Sequence, residues 1–555
     1  MNWLIGIFLI KNLPTFVGMN ATFRHVLIVL VTILLFSNCA KRGTPSGGPK
    51  DSIPPIIVRS TPENFTTHFS GDEIRIYFDE YIKLKDLQQN LIISPPLKYQ
   101  PLITPLNTSK VLKIKILDTL KENTTYSFNF GKSIVDNNEE NDFEYYKYIF
   151  STGDYIDSLK IKGKIEDALL AQPDKPTTIL LYERTESFND SLIYSEKPTY
   201  ITTTRDSTQT FELQNLKEGD YLLIALQEEI NNYTFEPKKD KIGFIEGVVS
   251  TPNDSAYTLS LFKEIPAYKI ARPSHVSKQK IIFGYDGLAD SLELNPLFEL
   301  PADYASKTYW DSTADSLNYY FKPAFDIEQT DTLYFLAKNL LVTDTLIVKM
   351  RDLFADSLKV ERMGGNVMVP KDTLKLKANN PIVSINSEKI KVIDKDSVAV
   401  PFTTALDEKY NIASILFPKT ELQQYRIELL PHALTDYFEN TNDTLKYGAR
   451  TLEVSDYGEL GMTLQNIKQY PIIVELVSSK YEVVASQYLT ENEALYFNYL
   501  SPDKYYFRVI YDANENGKWD TGSFLDKRQP EEVVYFPKKI DIRPNFFINE
   551  AFTLK

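Results

Sequence analysis

A single cysteine, Cys39, occurs in 555 residues. With no second thiol, no disulfide staples any part of the chain, and stability has to come from packed cores. Histidine is almost as scarce: His25, His68, His275 and His432 are the only four, too few for a His-rich metal cluster. Positive charge is in deficit as well. Lys and Arg number 61 against 75 Asp and Glu, a formal net charge of −14, which argues against nucleic acid, whose binding needs a basic footprint. The sequence has no Gly-x-Ser-x-Gly elbow, no phosphate-binding Gly-rich loop and no His-Glu-x-x-His. Paired carboxylates such as Asp79-Glu80 and Glu139-Glu140 read as solvated loops, because glycoside hydrolysis needs two carboxylates held across a cleft. The expectation is a chain that is not an enzyme.

Long apolar runs are confined to the beginning. Arg24 and His25 lead into Val26 to Phe36, a run of the length of a signal-peptide core and too short for a membrane span. Ser37-Asn38-Cys39-Ala40 follows, and then a leash rich in Gly, Ser and Pro as far as Pro55, which is a tether and not a core. Phe36, Ser37 and Cys39 resemble a bacterial lipoprotein signal, with Asn38 standing where Gly, Ala or Ser is usual. The resemblance implies diacylglycerol on the Cys39 thiol, cleavage before it and attachment to the membrane through the lipid; the runner-up is a signal anchor. Residues 1–38 are read as the signal region, with translation starting at Met19, and 39–55 as the acylated tether.

About 515 residues follow Cys39, too many for one core, so three to five domains are expected. Hydrophobic residues make up 43 % and charged ones 25 %, which is globular composition, and 35 Tyr with 32 Phe favour strands. Alternation is plain in Glu73 to Phe78, Leu112 to Leu117 and Tyr126 to Phe130, with turn signals between them. Asp followed by Ser or Thr and then Leu recurs at 118, 157, 290, 331, 344, 356, 372 and 443. It is expected to close a turn and open a strand.

Pro54-Pro55, Ser60-Thr61-Pro62, Ile76 to Glu80, Thr125-Tyr126, Ile134 to Asp136 and Phe150 to Gly153 together resemble the bacterial Ig-like domain of the S-layer type. That resemblance implies a β-sandwich used as a spacer or adhesive module over 56–153. Asn215 to Leu226, a strand, a turn on Gly219 and a strand, resembles the prealbumin-like or Cna-B-type sandwich of carboxypeptidase regulatory domains, and implies a scaffold module over 154–264. Residues 265–370 read as a further β region without a family.

The last third echoes the first. Asp372 to Leu376, Tyr425 to Ile427 and Ala433 to Asp436 match Asp72 to Ile76, Tyr126 to Phe128 and Ser133 to Asp136, giving a second Ig-like domain at 371–454. Tyr505 to Asp512 lies over Tyr221 to Glu228, with Asn516 and Trp519 over Asn232 and Phe235, giving a second prealbumin-like sandwich at 455–555. The expected fold class is all-β, tandem sandwiches after a lipoprotein signal, laid out as a rod or arc.

One local pattern suggests a metal. Asp512, Asn514 and Asn516 offer oxygens at positions 1, 3 and 5, Gly517 allows the bend, Lys518 supplies a carbonyl and Asp520 a carboxylate, as a Ca²⁺ loop requires. Position 12 is Ser523 and not a bidentate Glu, so a site would borrow a ligand such as Asp526. The other reading is an Asx-rich turn that folds Trp519 onto the sandwich.

These features together resemble a lipoprotein of the Bacteroidota type. The resemblance implies an outer-membrane-anchored, non-catalytic scaffold whose partner is an outer-membrane or other envelope protein. Ala40 to Thr44 has no acidic residue, which favours the periplasmic face over the cell surface. The alternative is a surface glycan-binding lipoprotein, which predicts an exposed aromatic platform and a polysaccharide ligand.

Overall fold

The computed structural model describes residues 51–204, 209–326 and 331–554. The signal region, the tether up to residue 50 and Cys39 lie outside the described residues. Alternation in the sequence becomes layered sheets throughout, and five sets of sheets follow one another along the chain, each around its own apolar core.

The first module contains β1 (Ile57–Thr61), β2 (Glu73–Leu84), β3 (Ile92–Ser94), β4 (Leu102–Thr104), β5 (Ser109–Lys115), β6 (Thr125–Asn129), β7 (Ile134–Asp136) and β8 (Lys147–Ser151). One sheet runs β1-β2-β5-β4, with β7 on the far half of β2, and the other runs β3-β6-β8. Ile74, Ile76 and Phe78 of β2 point inward and meet Phe128 and Phe150 of the opposite sheet. Burying each such side chain stabilises by about 1.5–3 kcal/mol. Tyr126 is buried at a corner, where its hydroxyl accepts the Lys121 N–H at 2.9 Å. Asp136 accepts the backbone N–H groups of Asn138, Glu139 and Asn141 at 2.7–2.8 Å, which fixes the turn after β7. Burial pushes the Asp136 carboxyl up, but these donors outweigh it and hold it below the usual range.

The second module contains β9 (Leu159–Asp167), β10 (Thr178–Glu183), β11 (Tyr200–Thr203), β12 (Thr210–Leu216), β13 (Gly219–Gln227), β14 (Lys241–Phe244), β15 (Val249–Thr251) and β16 (Ala256–Leu261). Its sheets run β11-β10-β13-β14 and β12-β9-β16, with β16 parallel to β9 and β15 added to β13. Strand β13 is buried on both faces, Leu223 and Ala225 toward the core and Leu222, Ile224 and Leu226 toward a second apolar layer.

Both topologies recur. Val360–Met363, Leu374–Ala378, Ile412–Leu416 and Thr403–Asp407 pair in the order of β1-β2-β5-β4, opposite Ile390–Ile393, Gln424–Leu429 and Leu445–Arg450 in the order of β3-β6-β8. Tyr425 accepts the Thr420 N–H at 2.8 Å, as Tyr126 does from Lys121. The fifth module pairs Gly458–Gln465 in parallel with Phe547–Thr553, as β9 pairs with β16, and sets Ile472–Val477 beside Lys504–Tyr511 as β10 lies beside β13.

The region without a family is also layered: Lys269–Ile270, Lys280–Asp286, Ser316–Lys322 and Ala305–Trp310 face Glu293–Pro296, Thr332–Asn339 and Val342–Lys349. The boundary at 370 falls too late. Val360–Met363 pairs with Leu374–Ala378, because the fourth module needs the counterpart of β1. The Asp-Ser/Thr-Leu rule holds at Leu159, Leu374 and Leu445, where strands begin, is off by one residue at Leu292 and Leu333 and by two at Leu358, and fails twice. Asp344 sits inside a strand, and Asp118 opens none, its carboxylate instead holding the Thr119 N–H at 3.0 Å.

The modules do not run as an open rod, because the fifth packs against the second. The third and fourth modules meet where Trp310 donates its N–H to the Lys409 carbonyl at 2.8 Å and Lys377 pairs with Asp311 at 3.3 Å. The fifth then turns back onto the second.

Candidate functional site

The segment 512–531 builds the site, because one turn there serves two purposes. Within it, the Asp512 carboxylate accepts the N–H groups of Asn516 and Gly517 at 3.1 and 2.7 Å. Gly517 has φ +74°, a conformation that a side chain would strain. Asn514 and Asn516 both donate their amides to one oxygen of Asp520, at 2.7 and 2.6 Å. Glu531, a residue that no local pattern singled out, accepts the N–H groups of Ala513 and Asp520 at 2.7 and 2.9 Å.

The second module carries the same turn with other residues. Glu228 accepts the Tyr233 N–H at 3.1 Å, and Asp240 accepts the N–H groups of Glu229 and Glu236 at 3.3 and 2.8 Å. Glu228 thus stands for Asp512 and Asp240 for Glu531. Burial raises the Glu228 carboxyl to about 7, against the Tyr233 and Asn232 N–H groups, which lower it.

In the calcium pattern, positions 1, 3, 5 and 9 do come together, with 3 and 5 converging on Asp520. Their acceptor oxygens are already used within the protein: Asn514 Oδ1 takes the Asn516 N–H and Asn516 Oδ1 the Lys518 N–H. Asp526, considered as a borrowed ligand, accepts the Ser523 hydroxyl at 2.9 Å instead. Among the described residues, no group of three or more His, Cys, Asp or Glu side chains gathers as a metal site.

The second purpose is docking. Trp519 does fold onto a sandwich, that of the second module and not its own, and packs against the same apolar layer that fully buries Phe524. Phe524 lies edge-on to Phe244 at 5.3 Å. Its N–H is taken by the Glu264 carboxylate, which burial holds above the usual range. Thr521 donates to the Lys263 carbonyl at 2.7 Å, and Gln529 to the Phe244 carbonyl at 3.1 Å. Beside this plug, Arg508 donates to the Leu169 carbonyl at 2.8 Å while pairing with Glu475 at 2.7 Å. Both charged side chains are largely buried. Tyr535 adds a second hydrogen bond to the same carbonyl at 2.6 Å.

The remaining sequence candidates are structural in their placement. His275 accepts the Arg351 N–H at 3.1 Å and donates to the Lys278 carbonyl at 3.3 Å, and burial lowers its pKa. Trp310, like Trp519, is half-buried and not displayed. Exposed tyrosines such as Tyr81, Tyr155 and Tyr496 belong to different modules.

The fold is that of tandem Ig-like and related all-β sandwiches. Residues 51–152 match the family described as a bacterial Ig-like domain. A search of curated proteins returns no match. Among solved structures, surface layer protein SbsC, domains 1-6, is 12 % identical, covering 88 % of this chain and 67 % of its own, with a TM-score of 0.14. A Bacteroides ovatus protein, SGBP-B of a mixed-linkage glucan utilization locus in complex with a mixed-linkage heptasaccharide, is 12 % identical, covering 70 % and 92 %, with a TM-score of 0.18. A titin fragment is 9 % identical, covering 44 % and 91 %, with a TM-score of 0.14. Likeness at this level says nothing about what the chain binds.

Proposed function

We propose that this chain is a non-catalytic scaffold of the cell envelope, held to the outer membrane by diacylglycerol on Cys39 and spaced from it by the leash that ends at Pro55. The observation that supports this most is the clasp between the fifth and second modules. Phe524 and the Arg508–Glu475 pair fix two distant modules against each other, and a scaffold presents partners best from a pre-organised frame. Acylation at Cys39 would leave every described module free of the bilayer, and the acid-free Ala40 to Thr44 favours the periplasmic face.

Calcium at 512–520 belongs to the same reading. Asp512, Asn514, Asn516, the Lys518 carbonyl and Asp520 would hold the ion, which would take the place of the amide hydrogen bonds on Asp520 and stiffen the turn that carries Trp519. Adding Ca²⁺ to chelator-treated protein is expected to raise the melting temperature of the wild type and not that of Asp520→Ala. Equal melting in both states contradicts this.

The scaffold reading is tested by affinity purification of the protein from its own outer membrane, with Cys39→Ser as the control. A defined barrel or transport complex recovered with the wild type and lost with the control supports it. Recovery of nothing specific from either overturns it.

A further inference from the structure

A large cavity lies away from the clasp, between the first and second modules, with a volume of about 1030 Å³. That is the upper end of the range for ligand sites, about 300–1,000 Å³, and larger than a small metabolite fills. Hydrogen bonds tie the two modules together beside it. Thr125 donates its hydroxyl to the buried Asp157 carboxylate at 2.8 Å, and Asp157 returns its own N–H to Thr125 at 2.9 Å. Ser94 accepts the Ile201 N–H at 3.0 Å across the junction, and Lys147 reaches Gln214 at 2.9 Å.

The chemistry of the walls is unusual for this chain. Five lysines face three glutamates there, although acids outnumber bases over the whole sequence. Two of those glutamates are committed, Glu212 to Lys160 at 3.6 Å and Glu228 to the Tyr233 N–H. Lys162 and Lys175 are exposed and make no ion pair among the described residues. Gln89, Asn231, Thr202 and Thr258 add amides and hydroxyls, and Tyr145 and Tyr257 add ring surface. Apolar anchors of the kind that hold a peptide are few.

We propose that this cleft binds a segment of an anionic polysaccharide. Lys162 and Lys175 take its acidic groups, the amides and threonines its hydroxyls, and the tyrosine rings its sugar faces. A neutral glycan would leave the lysine surplus unused, and an acidic peptide would leave the hydroxyl-binding groups unused. The proposal goes beyond the scaffold reading and stands without the lipid anchor.

The test is calorimetric titration of the purified protein with polygalacturonate, dextran and poly-glutamate. Saturable binding of polygalacturonate alone is expected, weakening as salt rises. Lys162→Glu with Lys175→Glu is expected to weaken it at least tenfold, and Thr258→Trp, which fills the cleft without changing charge, to weaken it as well. Lys391→Glu, on the fourth module, leaves it unchanged, and unaltered melting curves verify folding. The proposal is overturned if polygalacturonate does not bind saturably, if dextran or poly-glutamate binds as tightly, or if neither cleft variant weakens binding.

Discussion

Phe524 of the fifth module meets Phe244 of the second edge to face, with ring centroids 5.3 Å apart and planes at 85°. Phe524 contributes to its neighbour's apolar layer and to none in its own module, so its burial energy is spent on joining the two.

Phe524→Ala removes that plug. A buried Phe→Ala change costs about 3–5 kcal/mol, here charged to the docking and not to either core. The emission of Trp519, half-buried in the same layer, is expected to shift to the red, and protease is expected to cut near residues 520–530. Unchanged emission and cleavage would show that the contact carries no energy.

Arg508→Ala leaves Glu475 largely buried without its partner, and breaking such a pair costs about 3–5 kcal/mol. Replacing both with apolar residues, Arg508→Met with Glu475→Leu, is expected to restore most of the melting temperature. The docking stays weakened, since Leu169 loses one of its two donors. Denaturation curves with proteolysis separate the two effects.

Tyr126→Phe and Tyr425→Phe each strip the acceptor from a backbone N–H in the first and fourth modules. Each is expected to lower stability by about 1 kcal/mol, read from urea denaturation, and equal losses follow from equal geometry.

Glu228 makes the second module sensitive to pH. Its carboxyl is raised to about 7 in the folded chain, so the folded state holds the proton more tightly than the unfolded one. Stability therefore falls as pH rises from about 4.5 to 7, by an amount on the order of 3 kcal/mol. The buried Asp240, also raised, acts with the same sign. Glu228→Gln is expected to flatten the melting temperature between pH 5 and pH 8 and to raise it at pH 8. A variant as pH-dependent as the wild type would contradict this.

Much of the fold is written in local pattern. Ile74, Ile76 and Phe78 alternate with polar neighbours, and a period of two can only be a strand with one face buried. The recurrence of Tyr126 in Tyr425 and of Tyr221 in Tyr505 was legible because each corner tyrosine bonds a residue four or five positions earlier. The clasp was not legible. Arg508 finds Leu169 across 339 residues, and Phe524 finds Glu264 across 260, so nothing in the neighbouring sequence marks either contact. Glu531 was missed for the same reason, since the turn it pins begins far upstream at Ala513. The cleft escaped because its walls come from two modules, so no single stretch of sequence carries it.

Small-angle X-ray scattering of the protein from residue 51 onward tests the closed frame most directly. A wild-type profile matching the structure in which the fifth module rests on the second is expected, with a larger maximum dimension for Phe524→Ala with Arg508→Ala. An extended string of five modules in the wild type, unchanged by those substitutions, would contradict it.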